Sequence, residues 1–62
     1  MNAVERRTTG AALLAMAEAM VAGRRAGRVA TVAITDNPHD PRLAPQQHEA
    51  WSRGFMVGRS ID

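Results

Sequence analysis

The stretch AALLAMAEAMVAGRRAG, residues 11–27, decides the fold. From Ala11 to Met20 it consists almost entirely of strong helix formers, and it contains no proline or β-branched cluster that would interrupt a helix. A helix is expected over about residues 9–26. Thr8 or Thr9 can cap its start, and Asn2 with Glu5 three residues later offers an earlier capping box. Gly27 is a natural stop, with Arg24 and Arg25 in the last turn, where the helix dipole favours cations.

On a helical wheel this segment is apolar most of the way round. Ala11, Ala15, Ala19, Gly23 and Gly27 form one row at four-residue spacing, and Leu13, Met16, Ala17, Met20 and Val21 cover the adjoining side. Such a helix must be buried on more than one side, and a second helix in a short chain can cover only part of it. Leu13, Met16, Ala19, Met20 and Gly23 are therefore the expected interface to a second copy or another partner. The small row would let a neighbouring backbone come close.

Working outward, residues 45–59 give a second helix, with Pro45 suited to its first turn. Ala50, Trp51, Gly54, Phe55, Val57 and Gly58 share an apolar sector, and Trp51, Gly54 and Phe55 are its expected core. Ala50, Gly54 and Gly58 repeat the four-residue small row. Between the helices, residues 27–44 read as a loop with prolines at 38 and 41. Within it, Val29 to Thr35 is rich in β-branched residues and is expected to be extended. As a true strand it would have to pair across a dimer, because one strand cannot satisfy its own ladder. The expected architecture is all-α: one small domain over residues 1–62, a two-helix hairpin with a long proline-containing loop, dimeric through the first helix.

Composition narrows the function. The chain has 62 residues and no cysteine, so it has neither a disulfide framework nor a thiolate zinc site. A chain this size buries only about 60% of its unfolded surface, which makes a lone core marginal and association the cheapest further source of stability. A walled enzyme cleft is not expected. The longest run with few charges, Gly10 to Gly23, is interrupted by Glu18 and falls short of the roughly 20 residues of a membrane span. The chain reads as soluble and cytoplasmic, with no membrane partner.

All eight positive charges are arginine, against six carboxylates, for a net charge of +2. Five arginines and two glutamates lie in residues 1–28, so the front half is the basic half. The planar arginine fork suits phosphate. Arg24, Arg25 and Arg28 are the expected phosphate contacts, with Arg53 and Arg59 as a weaker second patch. Glu49 and Arg53 stand in the favourable order for a helical ion pair. His39-Asp40 and His48-Glu49 offer ligand-type side chains without a short metal-binding spacing, so no metal is expected. Gly23-Arg-Arg-Ala-Gly27-Arg28 lacks the phosphate-loop pattern and sits at a helix C-terminus, the wrong end of the dipole for phosphate. No catalytic set and no cofactor site emerge. Trp51 and Phe55 could stack on bases, but as the only two aromatics they are read as core.

Ala19, Gly23 and Gly27 in the first helix, the Asn37-Pro38-His39 turn, and Trp51-Ser52-Arg53-Gly54-Phe55 in the closing helix together resemble the small bacterial proteins grouped around ribosome modulation factor and the CrpP-like proteins. The resemblance covers about residues 15–59. It implies a two-helix fold with a long loop and association with the small ribosomal subunit, as in ribosome hibernation. For the CrpP-like branch it implies ATP-dependent modification of an antibiotic. The chain differs from ribosome modulation factor in having no lysine, in carrying His39 where that turn has an aromatic, and in a longer spacer after Gly27. Three functions follow as expectations: ribosome or ribosomal RNA binding, a protein-interaction module or homodimer, and a CrpP-like modifying enzyme.

Overall fold

The computed structural model describes the backbone of residues 3–61 and the side chains of residues 10–61. Helix α1 spans Ala3–Gly27, and α2 spans Pro45–Ser60. The start of α1 lies well before Thr8 and Thr9, which are inside the helix. Residues 3–8 contain neither glycine nor proline, and alanine, glutamate and arginine carry helix readily. The Asn2 half of the earlier capping box lies outside the described residues. Gly27 ends α1 as expected, and Pro45 opens α2 at a position where its missing N–H costs nothing.

The two small rows meet each other. Gly23 lies against the backbone of Trp51 and Phe55, and Gly27 against that of Phe55 and Arg59. From the other side, Gly54 lies against Met20 and Arg24, and Gly58 against Arg24. Residue numbers rise together along the contact, so the helices run in the same direction. The loop of residues 28–44 therefore travels back along the molecule before α2 begins. Interdigitated four-residue rows are the class of packing that crosses at about 50°.

Glycine is required here because backbone meets backbone. A methyl group built on any of these four glycines would fall onto the facing carbonyl oxygen of Trp51, Phe55, Met20 or Arg24. The surplus apolar sector assigned to a partner is thus largely satisfied within the chain. Ala19 and Gly23 are buried under α2, and Met16 packs half-buried against the core. Met20 stays partly open and Leu13 is 61% exposed. Of the five expected interface residues, Leu13 and Met20 alone keep substantial outer surface.

The core sits in the wedge between α1, α2 and the returning loop. Ala19, Ala50, Trp51 and Phe55 are buried, with Met16, Ala26 and Val32 packed around them. Trp51 and Phe55 stack at 5.3 Å between ring centroids, 21° from parallel. Trp51, Gly54 and Phe55 are all buried.

The extended reading of Val29 to Thr35 is corrected. Among the described residues no strand forms: residues 28–31 turn, and Ile34–Asp36 make a single 3₁₀ turn. The Val32 N–H donates to Val29 O at 3.0 Å, and Asp36 closes the next turn by accepting from Ala33 N at 2.8 Å while its own N–H donates to Ala33 O at 2.9 Å. The β-branched run had no strand to pair with. Its carbonyls are instead taken by a side chain from α2. Arg59 donates from Nε to Gly27 O at 2.7 Å, and from Nη2 to Val32 O at 2.7 Å and Val29 O at 3.2 Å. Its guanidinium carbon also stands 4.7 Å from the centroid of the Phe55 ring. One arginine thus ties together the end of α1, the loop and α2, and places a cation at the negative end of the α1 dipole.

Removing that fork should loosen the loop first. Arg59→Ala is expected to cost roughly 1–3 kcal/mol, the usual worth of hydrogen bonds from a charged donor. Arg59→Lys should recover only part of this, since an ammonium cannot span three carbonyls. Urea unfolding, with amide exchange read at Val32 and Ala33, checks it. Unchanged exchange in the loop would mean that Arg59 does not hold it.

Candidate nucleic-acid interface

Arg24, Arg25 and Arg28 follow one another around the last turn of α1. With Val21 they line a hollow of about 150 Å³. All three are exposed, and among the described residues none is in an ion pair. The cluster is firmly mounted, because the Arg24 backbone is the surface on which Gly58 of α2 rests. Arg28 lies one residue past α1, its N–H still donating to Arg25 O at 3.2 Å. Three guanidinium groups therefore point into water from a short, rigid piece of backbone, with donors to spare for an anion.

The second patch is less available. Arg53 donates from Nη2 to Glu49 Oε1 at 2.7 Å, an exposed pair one helical turn apart. Such a pair is worth about 0.3–0.5 kcal/mol, so it stabilises little while half neutralising the arginine. Arg59, the other member, spends its Nε and Nη2 donors on the loop carbonyls. The structure brings Arg24, Arg25 and Arg28 together and leaves Arg53 and Arg59 as separate groups on α2.

No family model, curated protein or solved structure matches the chain. Among the described residues no helix is long and apolar enough to cross a membrane.

The loop contributes a second polar assembly. Asn37 donates from Nδ2 to His48 O at 2.9 Å and to Ser52 Oγ at 3.1 Å, while its Oδ1 accepts from His39 N at 3.0 Å. This is turn chemistry of the kind an Asn-Pro pair favours, here docked onto α2. The ring of His48 donates from Nδ1 to His39 O at 2.8 Å, which fixes its tautomer. Asp40 is occupied locally, accepting from Arg42 N at 2.8 Å. The His39-Asp40 and His48-Glu49 segments do meet in space, beside a hollow of about 530 Å³ walled by Ile34, Pro38 and Pro41. Among the described residues no three histidine, aspartate or glutamate side chains converge as metal ligands.

Gly23 and Gly27, weighed at first against a phosphate cradle, face the backbone of α2 and have no room for a ligand. Trp51 and Phe55, at 4% and 6% exposure, have no face free for a base. The docking roles of Asn37 and His48 were not read from the sequence. The Asn37-Pro38 pair announced a turn, but nothing local tells where that turn lands.

Proposed function

We propose that the chain binds a phosphate-rich RNA surface, in the manner of a ribosome-associated modulation factor, with ribosomal RNA as the target. The observation that carries this reading is the cluster of Arg24, Arg25 and Arg28, without an acidic partner among the described residues and fixed on the glycine-packed end of α1. Arginine forks at such spacing can each take a phosphate oxygen pair and release condensed counterions. A small rigid body held this way acts by occupying a surface that a larger component needs, which would regulate translation without chemistry. A cytoplasmic location goes with this reading. The same residues favour binding over a CrpP-like ATP-dependent activity, since the glycines of that segment are consumed by helix packing.

The test is affinity for ribosomal RNA as a function of salt. With three phosphate contacts, log K should fall against log salt with a slope of about −2 to −3. Arg25→Gln should make the slope shallower by about 1, and the triple glutamine variant should abolish most of the salt dependence. No binding at low salt, or a slope indifferent to the triple variant, would end the proposal.

A second reading, self-association, is favoured by the outer side of α1, where Leu14 and Val21 remain 64% and 47% exposed.

A further inference from the structure

We infer that a second copy of this chain docks antiparallel on the outer face of α1, through a self-complementary groove lined by Ala17, Glu18, Val21, Ala22 and Arg25. The inference gives the second reading a surface, a direction and a register. It does not depend on RNA binding.

The groove has a volume of about 370 Å³ and lies on the side of α1 turned away from α2. Its floor is small and apolar, with Ala17 and Ala22 allowing close approach and Val21 supplying the central contact. Val21 is 47% exposed, and Leu14, two turns back on the same face, is 64% exposed. One strip of a helix is thus apolar and open along several turns on the side that α2 does not cover.

The charges flanking the strip choose the occupant. Glu18 and Arg25 are seven residues apart, which puts them on the same face about 10 Å apart along the axis. That spacing does not let them pair with each other within the helix, and among the described residues neither forms an ion pair. A two-fold axis passing between Val21 and Ala22 sets Glu18 of one copy opposite Arg25 of the other, and symmetry repeats the pair. The same register stacks Val21 on Ala22, at the centre of the contact. A parallel pairing would set Glu18 on Glu18 and Arg25 on Arg25, like on like, so the charge pattern also fixes the direction. A single surface that is its own complement only when reversed is what a closed two-fold dimer requires.

The experiment uses the full chain without RNA. Sedimentation equilibrium from micromolar to millimolar concentration should show a monomer–dimer equilibrium that weakens with added salt. Glu18→Arg places like charges at both pairs and should weaken dimerisation on the order of tenfold, while the swapped variant Glu18→Arg/Arg25→Glu should return to within about threefold of the starting protein. Circular dichroism of each variant should be unchanged, since both side chains are exposed. Because the chain has no cysteine, a mixture of E18C and R25C copies reads the direction. A mixed disulfide in excess of the two self-disulfides is expected, and a predominant E18C self-disulfide would establish the parallel arrangement and overturn the inference. So would a monomer at millimolar concentration, or a swapped variant as weak as the single reversal. Glu18→Arg leaves the arginine cluster intact, so RNA affinity measured on it at concentrations where the protein is monomeric separates failure here from failure of the RNA reading.

Discussion

Gly54→Ala lowers the stability of this protein, although the same change in an exposed helix raises it. The added methyl group is directed at the carbonyl oxygen of Met20, part of the α1 backbone, and no side chain can rotate away to admit it. The helices must separate, and overpacking of this kind costs about 1–3 kcal/mol, with the upper end apt for contact against backbone. Alanine returns about 1 kcal/mol through helix propensity. A net loss near 2 kcal/mol remains, which for a domain of this size lowers Tm by roughly 8–16 °C. Chains this small have only about 3–5 kcal/mol from a single core, so Gly23→Ala/Gly54→Ala, with Gly23 facing the Trp51 carbonyl, should leave the pair unfolded at room temperature. Gly10→Ala supplies the opposite sign. Nothing lies within 4 Å of a methyl group built there, so it should stabilise by about 0.5–1 kcal/mol. Thermal unfolding followed by circular dichroism decides the matter: if Gly54→Ala raises Tm as Gly10→Ala does, the helices do not touch along their glycines.

Trp51→Ala is the most damaging single truncation. The indole is 4% exposed, stacks on Phe55 and fills the wedge closed by Ala19 and Ala50. Truncating a buried tryptophan costs about 3–5 kcal/mol, which is comparable to the whole stability expected of the chain. The variant should lose its cooperative unfolding transition and retain only partial helix in α1, since an isolated helix is marginal in water. Trp51→Phe keeps a ring against Phe55 and should retain a transition at reduced Tm. These variants also separate two roles for the aromatic pair. If Trp51 stacked on bases, Trp51→Phe would weaken RNA binding while the fold persisted. With the ring buried as observed, Trp51→Phe should change RNA affinity by less than about twofold. Far-UV circular dichroism with urea titration, alongside the salt-dependent binding assay, reads both outcomes.

The arginine cluster was legible from sequence because it depends only on local facts. Arg24, Arg25 and Arg28 occupy one turn at a helix end that Gly27 announces, and exposure follows from charge. Arg59 looked equivalent on its own helix, with a free fork in the last turn of α2. What set it apart was the position of three carbonyls, those of Gly27, Val29 and Val32, brought to it by the returning chain. The same separation explains the loop. Val29 to Thr35 carries the side chains of a strand, yet a strand is stable only with a neighbour, and none of the described residues supplies one. Turns whose carbonyls are bonded to Arg59 and whose Val32 packs on the core replaced it.

Sequence by itself determined that this chain forms two helices, the first ending near Gly27 and the second beginning at Pro45, and that two rows of small residues at four-residue spacing would let backbones touch. These follow from propensity and periodicity, which act over one or two turns. It left open what each row would touch, because a small row on one helix fits an equivalent row on its own chain as well as one on another. The tertiary structure decided that: residues 28–44 carry the chain back, α2 runs in the same direction as α1, and Gly23 and Gly27 meet the backbone of Trp51, Phe55 and Arg59. A contact between residues about thirty positions apart depends on the path between them, and no local pattern encodes that path.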